Sequence, residues 1–373
     1  MSKRTNIINN ILYIILTVIA LVFVTQVCNA RYSDEGFAKI ILCLILGAII
    51  DGFFCVLAHE LGHVIVGKKN GFKFVSISVL FFKWHRKGKK IVFDFTLPAD
   101  SMGATEMTPV GTDNLSLRLR KMTAGALWFS GIITLLGALP LCIANLPFIA
   151  FALLSMFLPM GFATFFGNAL PMSNEGARND GAVVYGLKKN DDVSKVSISI
   201  LSIQSKMLEG KSPCEIDQKY YFDVPQLAED DLNFLMLLKA RYEYFLDKED
   251  YENAKKVTDR MLSLEEYFSK NIMSIVKTDA LYNACTFNYD EHLADELMYE
   301  TEKYLNHENS LSNLRIKLAY LVYVKKDYSV VDVFYKKGLR DIKNSLLKGY
   351  AKFEKKLLDK IKADADKLKE NIE

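Results

Sequence analysis

The chain has 373 residues, half of them hydrophobic and 24% charged, with a formal net charge of +3. Neither half of the chain shows the concentrated basic stripe that would suggest nucleic acid, so no nucleic-acid partner is expected. The apolar residues are too unevenly spread for one soluble core: residues 1–181 hold 16 Lys and Arg against 10 Asp and Glu, and residues 182–373 hold 31 against 34.

In chain order, Thr5 to Ala30 is free of charge and exceeds the roughly 20 residues needed to cross a bilayer, so it reads as a first span. A cleaved signal peptide is the competing reading, because Lys3 and Arg4 precede the apolar run and small residues end it. A second apolar stretch, Ile40 to Val66, contains His59-Glu60-Leu61-Gly62-His63. On a helix, histidines four apart share a face and can hold one Zn²⁺, and the adjacent glutamate can take a proton from the water that such a metal activates. Two satisfied histidines in a buried helix are the plain alternative. Asp51, eight residues before His59, falls on roughly the same face and is assigned a polar structural role rather than a place in the site.

Phe72 to Trp84 and Ile91 to Leu97 alternate in part around the polar turn Arg86–Lys90, which predicts a β-hairpin with His85 as a turn residue. Its apolar edge suits pairing with an unwound substrate, and its basic turn suits anionic lipid. Met122 to Asn174, 53 residues without a charge or a histidine, predicts spans three and four with the turn at Asn145 to Pro147. Lys68 to Lys90 is a run of basic residues with no acid among them, and Arg118, Arg120 and Lys121 follow before span three. By the positive-inside bias this side is cytoplasmic. Both termini are then cytoplasmic in a multi-pass membrane protein, with the zinc motif in the inner half of span two.

A catalytic zinc needs a third protein ligand. Asn168-Ala169-Leu170-Pro171 and Asn179-Asp180-Gly181 follow span four. Pro171 ends a helix and Gly181 permits a tight backbone, so Asp180 can turn back toward the histidines. Glu175 is an alternative acid for this place. The six cysteines lack Cys-x-x-Cys spacing and suggest neither a disulfide framework nor a cysteine metal site.

These residues resemble the site-2 protease family of intramembrane zinc metalloproteases, in which a His-Glu-x-x-His helix is followed by an Asn-x-x-Pro…Asp-Gly element. The resemblance covers roughly residues 37–187. It implies that His59, His63 and Asp180 bind Zn²⁺, that Glu60 is the general base, and that Asn168 helps hold the substrate backbone. Three departures bear on substrate docking. Ser101-Met102-Gly103-Ala104 keeps one glycine where the family often has two, and Ala126 and Phe129 stand where a proline and an asparagine are expected.

From about residue 188 the chain is charged and helical. Ala240-x-Tyr242…Asp250-Tyr251-x-x-Ala254 is echoed 40 residues later at Ala280-x-Tyr282…Asp290-x-x-x-Ala294, and faintly at Asp327-Tyr328. This predicts either a tetratricopeptide-like solenoid, able to take a protein partner, or a plain helical bundle. Leu339 to Glu373 reads as one lysine-rich amphipathic helix forming a solvated cap. His292 and His307 read as surface residues.

The expected architecture is therefore a membrane α-helical domain (residues 1–187) of about four spans with a membrane-associated hairpin, followed by an all-α soluble domain (residues 188–373). The expected function is hydrolysis of a peptide bond in a membrane-anchored or membrane-associated protein or peptide, in contact with lipid, near the cytoplasmic face. Two alternatives stand beside it: a different membrane metallopeptidase using Glu175, and a non-catalytic membrane scaffold that presents the helical repeats.

Overall fold

Uncharged apolar runs become long helices because each satisfies its own backbone hydrogen bonds. The computed structural model describes residues 3–95, 101–174, 176–307 and 310–370. Its first helices are α1 (Lys3–Arg31), α2 (Phe37–Lys69), α3 (Leu115–Leu136) continued by the short α4 (Leu139–Cys142), and α5 (Phe148–Ser155) continued past Met156 by α6 (Phe157–Ala169). They form four segments, Arg4–Arg31, Phe37–Lys69, Leu115–Cys142 and Phe148–Ala169, each long and apolar enough to cross a membrane. Their outer faces stay apolar, with Ile19, Ile49 and Leu135 exposed, as lipid-facing side chains would be. The third segment begins seven residues before Met122, so Arg118, Arg120 and Lys121 lie in its first turns rather than in a preceding loop.

Small residues let these helices approach closely. A Cβ on Gly62 would come within 2.7 Å of the Ala126 Cα, one on Gly125 within 2.5 Å of Val66, and one on Gly47 within 2.8 Å of the Ala152 carbonyl. Val24, Cys28, Ile40, Leu44, Phe148, Phe151 and Met156 make a buried cluster among α1, α2 and α5. Asp51 is buried at the break between α5 and α6, where its carboxyl group accepts the backbone N–H of Phe157. This caps an otherwise open helix start.

Between α2 and α3 lies a sheet rather than a single hairpin. Strands β1 (Phe72–Val79), β2 (Phe82–Lys87), β3 (Lys90–Phe95) and β4 (Gly103–Pro109) are ordered β3-β2-β1-β4. The expected strand Phe72–Trp84 is interrupted at Leu80-Phe81, where Leu80 takes a left-handed conformation with φ 53° and the chain reverses. The second turn is at Gly88-Lys89, with Gly88 at φ 63°. His85 therefore sits in β2, not in a turn, with Nδ1 3.5 Å from the Asp94 carboxylate. Thr96 and Leu97 lie outside the described residues.

After α6 come a two-residue pair of strands, β5 (Ser173–Asn174) and β6 (Ala177–Arg178), and then α7 (Asp180–Lys189), α8 (Asp192–Leu208) and α9 (Lys219–Phe222). Helix pairs follow: α10 (Leu232–Asp247) with α11 (Tyr251–Leu262), α12 (Lys270–Thr286) with α13 (Glu291–His307), α14 (Leu311–Tyr323) with α15 (Val331–Asn344), and finally α16 (Lys348–Glu370). The 40-residue echo has a structural basis. Ala254 and Ala294 are fully buried at equivalent places in α11 and α13, and Asp250 and Asp290 accept backbone N–H groups at the starts of those helices. The expected single helix Leu339–Glu373 is two, because Ser345 is extended at ψ 137°. The face of α16 that carries Phe353, Leu357, Leu358 and Ile361 is buried, so this helix is not merely solvated.

The chain divides into two compact units. One comprises Met1–Trp84, Ser101–Met107 and Asn114–Ser194, and the other His85–Asp100, Thr108–Asp113 and Lys195–Glu373.

Candidate metal centre

The candidate site is built wholly within the first unit. His59 and His63 lie one turn apart on α2, and Asp180 opens α7. Asp180 Oδ2 is 3.0 Å from His59 Nε2 and 3.2 Å from His63 Nε2, and one ligand atom from each residue lies within 4.8 Å of the others. Ligands about 2.0–2.2 Å from a tetrahedral ion are themselves about 3.3 Å apart, so this spacing suits one small divalent metal. Asp180 Oδ2 is buried and has no hydrogen-bond partner. Such an oxygen is costly unless a cation takes it. The three residues fit a metal ion.

Asp180 is aimed by its neighbours. The side chain of Asn179 accepts the backbone N–H groups of Met172 and Ala182 and donates to the Gly167 and Leu170 carbonyls. All four bonds of which an amide is capable are made, tying the exit of α6 to the start of α7. Burial pushes the Asp180 carboxyl group up, but the imidazole edges of His59 and His63 more than offset this and hold it at about 2. Metal binding must displace protons shared in this cluster, so affinity falls in acid.

His59 is aimed by a residue outside the motif. Its Nδ1 lies 2.7 Å from Ser130 Oγ on α3. The Ser130 hydroxyl donates to the Ala126 carbonyl at 3.1 Å, so with a metal on Nε2 its oxygen would accept from Nδ1–H of His59. Hydrogen bonding to the ring nitrogen away from a metal sets the tautomer and raises ligand basicity. Ser130→Ala should therefore weaken metal binding about 10- to 100-fold, measured by Zn²⁺ competition with a chromogenic chelator. An unchanged affinity would show that Ser130 is only a packing residue.

Glu60 is buried beside the histidines. Thr105 Oγ1, on β4, donates to its Oε2 at 2.6 Å. A Cβ at position 103 would come 2.5 Å from Glu60 Oε1, so the one retained glycine of Ser101–Ala104 leaves room for the carboxyl group. Asn168 donates to the Thr164 carbonyl at 2.9 Å, within its own helix. The structure thus brings His59, His63, Asp180 and Glu60 together, and sets Asn168 at the end of α6. Ser130, Thr105 and Asn179 were missed as functional residues. Of these, only Asn179 carried a signal, as a strong helix-capping residue just before Asp180. Glu175, the alternative ligand, lies outside the described residues.

Comparison of the chain with models of known families, with curated proteins and with solved structures finds no match.

Proposed function

We propose that the chain is an intramembrane zinc endopeptidase of the site-2 protease type, cutting a membrane-anchored or membrane-associated peptide near the cytoplasmic face. One observation carries this reading: two histidines on a helix apolar enough to cross a membrane converge with Asp180 of α7 beside a buried glutamate. A purely structural metal needs no such neighbour.

Zn²⁺ held by His59, His63 and Asp180 would supply Lewis acidity, activating water near neutral pH and polarising a peptide carbonyl. Glu60 would accept the proton of the attacking water and deliver it to the departing amine. The Thr105 hydroxyl bond fixes one carboxylate oxygen of Glu60 and leaves the other for this work. β4 ends the sheet order β3-β2-β1-β4, and its Gly103 and Thr105 touch Glu60. An unwound substrate added along this edge would lie alongside the base. Asn168, at the end of α6, would bind backbone of the same substrate. The basic residues between Lys68 and Lys90 favour a cytoplasmic side for the inner end of α2. His59 to Lys68 is nine residues, or about 13 Å of helix, a depth that water reaches.

Glu60→Gln tests the chemistry because it removes the base while keeping size. Membrane peptides from cells carrying this variant should accumulate at least one uncut species that the unchanged protein removes, with bound zinc retained. Identical peptide profiles from folded, zinc-loaded variant and unchanged protein would favour a non-catalytic scaffold.

A further inference from the structure

α16 makes contacts that a terminal cap would not. In a stacked helical array each pair touches its neighbours, so a helix following α15 should meet α14 and α15 alone. It does meet them: Tyr323 donates to Asp364 at 2.7 Å and Tyr335 to Asp359 at 2.8 Å. Yet Lys352 also pairs with Glu215 at 2.5 Å, Lys356 with Glu249 at 2.9 Å, and Lys360 donates to the Tyr251 hydroxyl at 2.7 Å. These partners lie more than 100 residues earlier, around the first helix pair. α16 therefore runs the length of the array. Its start fits without clearance, since a Cβ on Gly349 would fall 1.8 Å from the Lys211 carbonyl.

The first helices of the pairs are tied to one another, and α16 reaches α10 through Lys356 and Asp247 and α14 through Glu354 and Arg315. Lys239 of α10 joins Asp279 of α12 at 3.0 Å, Tyr242 donates to Asn283 at 2.8 Å, and Arg315 of α14 stacks 4.0 Å above the Tyr282 ring. Across the face that α16 covers, Glu354, set among the apolar residues of α16, accepts from Arg315 Nε at 2.7 Å, with both side chains 2% exposed. Arg315 Nη1 and Asp279 Oδ2 remain buried without partners. A permanent core gains little from such a buried pair over packed apolar groups. A face that is alternately covered and uncovered does gain, because Arg315 and Glu354 each return to water when the helices part.

We propose that this face is a helix-binding groove and that α16 is its resident ligand. The class it takes is an amphipathic helix with lysines four residues apart, as at Lys352, Lys356 and Lys360, and one carboxylate on the apolar side to meet Arg315. A competing helix of that chemistry exchanges with α16. The exposed lysine pairs contribute little individually, so discrimination rests on the carboxylate.

The test uses the full chain with a specific protease site inserted between Ser345 and Leu347. After cutting, a fluorescent peptide of residues 348–373 is added in excess, and its uptake, release of the resident helix and far-UV circular dichroism are followed. We expect one labelled peptide per chain to enter a domain that stays helical, and the same peptide carrying E354Q to bind at least about 30-fold more weakly. In a chain carrying R315M the two peptides should bind alike. Equal binding of both peptides to the unchanged chain would overturn the proposal. So would a cut helix that neither leaves nor exchanges, or a domain that unfolds when it leaves, since α16 would then be core rather than ligand.

Discussion

Asp180→Ala and His63→Ala should each reduce bound zinc from near one per chain to near none, by metal analysis of the purified protein. Each removes one of the three protein ligands proposed for the metal, and the affinity lost should exceed the roughly 100-fold that follows loss of an outer-shell partner. Asp180→Ala is the cleaner variant. It removes the carboxylate that lies 3.0 and 3.2 Å from the two imidazoles and leaves α2, which carries both histidines, unaltered. Both variants retaining full zinc would remove the site as drawn.

Gly181→Val should have an effect of similar size by a different route. A Cβ at Gly181 would lie 2.3 Å from the Ala169 carbonyl oxygen and 2.9 Å from that of Asn168. These are backbone atoms at the end of α6, and they cannot rotate aside. Either α7 withdraws and carries Asp180 away from the histidines, or α6 frays. We expect a destabilisation of about 1–3 kcal/mol together with loss of most bound zinc, whereas Asp180→Ala loses zinc without forcing α6 and α7 apart. A Gly181→Val protein with normal thermal stability and full zinc would show that the close approach of α6 and α7 is not required.

The sequence-level reading reached furthest where one local signal was enough. Charge-free runs marked the first, third and fourth spans because an unpaired charge is costly in hydrocarbon. Pro171 and Gly181 pointed to Asp180 because they constrain the backbone on either side of it. The reading stopped where a decision belongs to a neighbouring element. Nothing in the residue type of Leu80 announces a left-handed turn inside an alternating run, so two strands read as one. Ser130 is one hydroxyl in an apolar segment, and only the helix register set by Gly62 against Ala126 puts it on His59. The break before α16 has neither glycine nor proline at Asn344–Leu347, and the partners of Lys352 and Lys356 lie too far back in the chain for any local pattern to name.

Asp51 gives α6 an electrical role as well as a mechanical one. A carboxyl group sits at its first residue, Phe157, and its last turn of carbonyls abuts Gly181, next to Asp180. The partial negative charge at that end, about half an electron, falls beside the Asp180 carboxylate in surroundings of low polarisability. That end of the helix adds to the attraction of Asp180 for a cation, whatever geometry the cation prefers. Breaking α6 near Asn168 should therefore weaken cation binding without touching any of the three candidate ligands.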